Sequence, residues 1–225
     1  MSYEWDFDGA ERECRRAIEL DPNSSQAHSA YSRYLNCRGR FDEGIAEIKT
    51  AIDLEPASLV NQRDYGVSLY YARRYADAVT QLKRVIAMDE KFSTAYTWLV
   101  VALEMQGNYS EAFEWWMKML PLDKQPEEAV QAYRAAYQSS GWQGLMLERT
   151  RRCDEASLRP NYRGPYFQGA VEHAKAGQKD KAFEFLEKSY QRRESWMSLL
   201  KVEPGLDSVR DDPRFDELIK RVGLE

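Results

Sequence analysis

The chain has 225 residues, of which 43% are hydrophobic, 31% charged and 12% aromatic, and it carries a formal net charge of -5 with a pI near 5.3. This is the balance of a folded chain and not of a disordered one, and its acidity argues against a nucleic-acid partner, because domains that bind a phosphate backbone carry a basic stripe and a high pI. No stretch approaches the ~20 apolar residues of a membrane helix, and residues 1–22 lack the basic head and apolar run of a signal peptide, so the expectation is a cytoplasmic protein with no membrane partner.

In chain order, the first element is an amphipathic helix over residues 5–20, stopped at Pro22 because proline cannot continue a helix. Its Phe7 opens a series, Phe7, Phe41, Tyr75 and Tyr109, spaced 34 residues apart, and Ala17, Ala51, Val85, Met119 and Cys153 keep the same interval. A fixed interval of this length implies a supersecondary unit that cannot bury its apolar face alone and stacks on copies of itself. The expected units are 25–58, 59–92, 93–126 and a degenerate 127–160, then 161–196 after a two-residue insertion, with a closing segment at 197–225. Residues 1–24 supply only the second helix of a first unit, with Met1 inside what would be the first. In 93–126, Tyr96, Leu99, Val100 and Leu103 recur at the spacing of one helical stripe. Gly39, Gly107, Gly141 and Gly177 mark the turn after each first helix, since glycine tolerates the left-handed conformation that closes a helix. Arg73 holds that place in 59–92, where a positive φ would cost about 0.5–1 kcal/mol. Second helices carry Ala10, Gly44, Ala78 and Ala112, small side chains that let paired helices approach, and Met146 breaks this row. Phe41 and Tyr109 are expected to be buried between the helices of their hairpins. The segment after Gly141, Trp142-Gln143-Gly144-Leu145, makes the least defined second helix. At the end, Asp212 reads as an N-cap and Pro213 as the first helical residue, ahead of a capping helix whose apolar face is Phe215, Leu218, Ile219 and Val222.

The residues Tyr31, Leu35, Gly39, Phe41, Ala51 and Pro56 in one unit, and Tyr96, Leu99, Gly107, Tyr109 and Ala112 in another, resemble the tetratricopeptide-repeat family over most of the chain. The resemblance implies an all-α, right-handed superhelical solenoid of helix-turn-helix repeats with a C-terminal capping helix. It also implies a concave groove, lined by the first helices, that binds a protein or peptide. The stretches 3–12 and 16–22 and the tail 209–215 look like the repeat arrays of bacterial multidomain signalling and transcriptional regulators. That likeness implies a scaffold or sensor part of a bacterial regulatory system, although no effector domain is visible.

Chemistry is sparse. There is no phosphate-cradling, dinucleotide-binding or H-E-x-x-H motif. His28 lies where a first helix meets its second and reads as a satisfied interface residue, and His173 has no nucleophile nearby in sequence except Cys153. Cys14, Cys37 and Cys153 are an odd, widely spaced set that fits reduced thiols. The expectation is no enzyme activity, no catalytic residue, no metal and no cofactor, and a protein or peptide partner of unknown identity.

Placing the family register on the chain nominates Arg33, Asn36, Arg63, Val67, Tyr70, Tyr71, Trp98, Val101, Met105, Gln131 and Phe167 for the groove, with Tyr70 as the one most apt to be packed. Aromatic, methionine and arginine side chains are the types enriched at interface cores. The co-chaperone members of the family grip a C-terminal carboxylate with lysine, asparagine and arginine. Here the corresponding places hold Ser29 and Arg33, then Val60 and Asp64, and that pattern is absent. Arg38, Arg40, Arg73 and Arg74 on neighbouring turns form an expected basic edge able to receive an acidic segment. The alternative to groove binding is structural: the face of the incomplete first repeat, with Phe7, Ala10, Cys14 and Ile18, pairs with a second copy to make a homodimer.

Overall fold

The computed structural model describes residues 5–225, and among these there is helix but no strand. The expectation about Met1 lies outside the described residues. The chain divides into two compact units, one of Asp6–Lys124 and one that holds Gln125–Glu225.

In the first unit a single helix, α1 (Phe7–Leu20), precedes three hairpins: α2 (Ser25–Cys37) with α3 (Phe41–Leu54), α4 (Leu59–Tyr71) with α5 (Tyr75–Met88), and α6 (Ser93–Met105) with α7 (Tyr109–Leu122). Ser24 and Ser58 begin α2 and α4 by accepting from the Ala27 and Asn61 amides, which supplies partners to otherwise orphan N–H groups. Gly39 and Gly107 close α2 and α6 at φ +73°, and Arg73 closes α4 at φ +60°. Between these ends the core is apolar: Leu35, Ile48, Leu69, Leu82, Leu99 and Leu103 are each at most 1% exposed. Ala78 and Ala112 are fully covered where the helices of a hairpin cross.

Phe41 and Tyr109 are not the buried closures expected of them. Phe41 is half-buried and Tyr109 is 44% exposed. Each is the first residue of its second helix, beside the turn, where the hairpin opens to solvent; the tight packing lies further along the helices.

A different contact recurs at the repeat interval. His28 Nε2 donates to the Pro22 carbonyl at 3.0 Å, Gln62 Nε2 to the Pro56 carbonyl at 3.1 Å, and Tyr96 Oη to the Glu90 carbonyl at 3.0 Å. Each bond fastens a first helix to the loop that enters it. The same three side chains reach the second helix: His28 Nδ1 lies 2.6 Å from Glu47, Gln62 accepts from Gln81 at 2.8 Å, and the Tyr96 and Trp115 rings meet edge-on at 5.7 Å. His28 is therefore a packing residue with both ring nitrogens occupied.

Among the described residues of this unit, α2 packs on α4 and α4 on α6, and no comparable packing joins α3 to α5 or α5 to α7. The first helices thus form the tighter, inner row.

No residue of α1 is buried. Ala10 and Ala17 are exposed, although the places they occupy are covered in the following hairpins by Gly44, Ala78 and Ala112 and by Ala51, Val85 and Met119. A polar hub holds α1 instead: Glu11 accepts from Arg15 (2.8 Å), Arg40 (2.8 Å), Tyr31 (3.2 Å) and Tyr34 (3.1 Å). The guanidiniums of Arg40 and Arg15 hold its carboxyl at about 2, against 4.5 ordinarily. Burial, and then Glu11 itself, push Tyr34 up to about 12.

In the second unit, α8 (Glu127–Ser157) leaves helical values at Ser140 and at Gly141, where φ is +59° and ψ is -147°. The chain turns back there, because the Arg152 guanidinium lies over the Tyr133 ring at 5.2 Å. A Cβ on Gly144 would stand 2.4 Å from the Ala136 carbonyl oxygen, so this glycine gives the close crossing that Met146 does not. Next come α9 (Tyr166–Lys175) and α10 (Lys179–Gln191), packed on each other over Phe167, Phe185 and Leu186. Glu194 caps α9 from beyond α10, accepting from the Tyr166 and Phe167 amides at 3.0 Å each. Two 3-10 turns, Ser195–Leu199 and Pro204–Val209, are fastened by Arg210, which donates to the Lys201 and Glu203 carbonyls at 2.7 and 2.9 Å. The last helix, α11 (Pro213–Val222), starts on the Asp212 cap and buries Phe215, Leu218 and Val222. Arg221 ties it to α10 by a two-pronged contact with Glu187 at 2.9 and 3.0 Å.

Candidate protein-binding face

The inner row of the first unit presents a face built from α2, α4 and α6. At one end is an ionic cluster. Asp64, whose side chain is 7% exposed, takes Arg33 Nη1 on one oxygen at 3.1 Å and Arg63 Nε and Nη2 on the other at 2.8 and 2.7 Å. Arg33 also donates to Ser29 Oγ at 3.0 Å, and the Arg63 guanidinium lies 5.9 Å from the centre of the Phe92 ring. Behind this cluster a polar chain is buried between α2 and α4: Ser68 Oγ donates to the Asp64 carbonyl at 2.9 Å, Asn36 Nδ2 donates to Ser68 Oγ at 2.8 Å, and Ser32 Oγ donates to the Gly44 carbonyl at 2.7 Å.

At the other end is an aromatic and aliphatic stretch. Val67, Trp98, Val101 and Met105 are half-buried. Tyr70 and Tyr71 are 2% and 4% exposed, and both set ring edges against Trp98, at 5.5 and 5.8 Å between centroids. Trp98 therefore rests on a rigid aromatic support while keeping part of its indole open.

The nominated residues are placed unequally. Arg33 is open, with 56% of its side chain exposed, and Arg63, Val67, Trp98, Val101 and Met105 stand on the same inner row. Asn36 and Tyr71 are buried under it and support the face without presenting surface. Phe167 belongs to the second unit, is 2% exposed and packs between α9 and α10; Gln131 is exposed on α8. Two of the four arginines of the expected basic edge are paired with acids, Arg40 with Glu11 and Glu43 and Arg74 with Asp77, while Arg38 lies over the Phe7 ring at 4.9 Å. Asp64 was missed as a site residue. Its signal was legible in the spacing, because Arg33 precedes it by 31 residues, one repeat less about one helical turn, which puts the two side chains on facing turns of neighbouring first helices.

Little else in the molecule offers chemistry. Burial raises the Cys14 thiol, and burial with Glu172 and Asp154 nearby raises Cys153 to about 11, the reverse of an activated thiol. His173 is fully buried and hydrogen-bonds Gln178 through Nδ1 at 2.6 Å. Among the described residues no group of three His, Cys, Asp or Glu side chains is placed to hold a metal, and no helix is long and apolar enough to cross a membrane.

Residues 64–124 match the tetratricopeptide-repeat family model. No curated protein matches the chain by sequence. Among solved structures, the chain is similar to a chain of the APC/C hetero-tetramer Cut9–Hcn1, with a TM-score of 0.60 and 12% identity over 97% of this chain and 46% of that one. It is also similar to pilF of Pseudomonas aeruginosa, with a TM-score of 0.53 and 17% identity over 87% and 88%. A MamA structure aligns at a TM-score of 0.48 with 19% identity over 84% and 90%. The matched segment spans three of the hairpin helices and part of a fourth, the same hairpin lies on the amino-terminal side of it, and residues 64–124 are thus a tetratricopeptide-repeat segment within an all-helical repeat fold.

Proposed function

We propose that the chain is a protein-binding module that takes an extended segment or helix of a partner protein on the inner face of α2, α4 and α6. Tetratricopeptide-repeat proteins are generally scaffolds and not enzymes, and they bind protein or peptide partners. The observation that carries the reading is Trp98: a large side chain held rigidly by two buried tyrosines yet left partly open, flanked by Val67, Val101 and Met105. A supported aromatic of this kind loses little conformational freedom on binding and fits the role of an anchor. A scaffold or sensor role in a bacterial regulatory system rests on the resemblance of the terminal stretches alone.

The test is a photo-crosslinking amino acid at Val101, compared with one at the outward-facing Ala87. Partner adducts from the source cell should form at the first position, fail at the second, and weaken by about 2 kcal/mol in affinity on Trp98→Ala. A Trp98→Ala protein that binds the identified partner normally but melts well below the parent would make Trp98 a packing residue and end the reading.

A second reading, self-association through α1, is favoured by the exposure of Ala10 and Ala17, whose places are covered in the following hairpins. Light scattering over a wide concentration range checks it; a strict monomer rules it out.

A further inference from the structure

We infer that the Arg33–Asp64–Arg63 cluster is a braced two-guanidinium receptor for an acidic side chain of the partner segment, with Asp64 as its positioning residue. The inference rests on the inner-face reading and names part of the partner's chemistry. The cluster carries two positive charges and one negative, and so keeps a net charge of +1 on a protein whose overall charge is -5. The negative charge is used up. Both Asp64 oxygens are occupied, and only 7% of that side chain meets solvent. The positive charge is not used up. Arg33 spends only Nη1, on Ser29 and Asp64, and its Nε and Nη2 make no hydrogen bond among the described residues. Arg63 spends Nε and Nη2 and keeps Nη1.

An unbraced arginine must be ordered when it binds, whereas these two are already fixed by one buried carboxylate from different helices, so their spare N–H groups are aimed before a ligand arrives. The carboxylate itself is poorly placed to serve a cationic partner, since it already accepts three hydrogen bonds from the two arginines and is almost entirely covered. What fits the remaining donors is a planar oxyanion, and in a peptide that lies along α2, α4 and α6 it is the side chain of Asp or Glu. The apolar stretch at Trp98 and Met105 lies further along the same row, so the partner segment pairs an acidic residue with a bulky apolar one.

The arginine Nε–H and tryptophan indole N–H signals of the full 225-residue protein test this, with two peptides as probes: acetyl-Leu-Leu-Glu-Glu-amide and acetyl-Leu-Leu-Gln-Gln-amide. The glutamate peptide should shift the Arg33 and Arg63 signals and bind about tenfold more tightly than the glutamine peptide. Asp64→Asn should remove that preference, and so should Arg33→Gln, a change at an exposed side chain that leaves the fold intact if Asp64→Asn does not. If the glutamate peptide shifts other exposed arginines such as Arg84 as much, or if the preference survives both substitutions, the receptor is wrong. If Trp98 responds equally to both peptides while the arginine signals stay still, the receptor alone fails and the inner-face reading stands. If the arginines respond and Trp98 stays still with both, it is the apolar half of the inner-face reading that fails.

Discussion

Arg73 and Gly44 show how a single residue is fixed by backbone or by a neighbour. Arg73 keeps φ at +60° where the equivalent turns use glycine at +73°. The left-handed conformation strains a residue with a Cβ, so Arg73→Gly should stabilise the protein by about 0.5–1 kcal/mol, read as a higher urea midpoint at unchanged slope; a fall would mean that the arginine side chain contributes more than the strain. Gly44 is needed for the opposite reason, crowding. A Cβ there would stand 2.6 Å from Asn36 Oδ1 and 3.2 Å from the Ser32 carbonyl. Gly44→Ala should cost about 1–3 kcal/mol, and Asn36→Ala in the same chain should relieve part of it. A double-mutant cycle measures the coupling; strict additivity would deny the contact.

Among the elements, α1 differs from every other helix of its unit in having no buried residue. Its attachment depends on Glu11, whose folded value near 2 lies below the ordinary 4.5. A carboxyl depressed in this way adds stability above about pH 4.5 that is lost as the pH falls from there towards 2. Amide exchange in α1, corrected for intrinsic rates, should therefore rise relative to α3 through that window, and Glu11→Gln should abolish the pH dependence while loosening α1 at neutral pH. Hairpin cores behave differently. Leu82→Ala, at a fully covered position, should cost about 2–5 kcal/mol, and Tyr109→Ala, at a position 44% exposed, less than about 1 kcal/mol; calorimetry on the two variants checks the order. The stripe through Leu99 and Leu103 and the glycine turns were legible because helix period and left-handed φ leave direct marks in residue type. The burial of Tyr71 and the exposure of Tyr109 were not. Periodicity tells which face of a helix is apolar, but coverage by the next helix depends on distance from the turn and on neighbours about one repeat away.

Considered as a molecule, a repeat array couples mainly neighbours. Leu99→Ala should lower amide protection in α4 to α7 more than in α10, and Leu186→Ala should do the converse, read by peptide-resolved hydrogen exchange; equal losses everywhere would show one cooperative unit. The candidate site was legible only in part for the same reason that long-range coupling is weak. Trp98, Val101 and Met105 sit on one helix and could be placed from the register, while the Arg33–Asp64–Arg63 cluster spans two repeats and involves an acid that the sequence alone suggests counts against binding.

The bond from His28, Gln62 and Tyr96 to the loop carbonyl six residues earlier separates what this fold requires from what a residue alphabet records. An imidazole, an amide and a phenol differ in volume, shape and hydropathy, yet each carries a donor at the right reach. The position is specified by a function that several letters can fulfil. Repeats of this kind can consequently drift apart in spelling while their geometry holds, and a donor at fixed distance is a better guide to the hairpin than any one amino acid. At the next interval stands Val130, which has no side-chain donor at all, and this is the hairpin whose helices are joined by a kink.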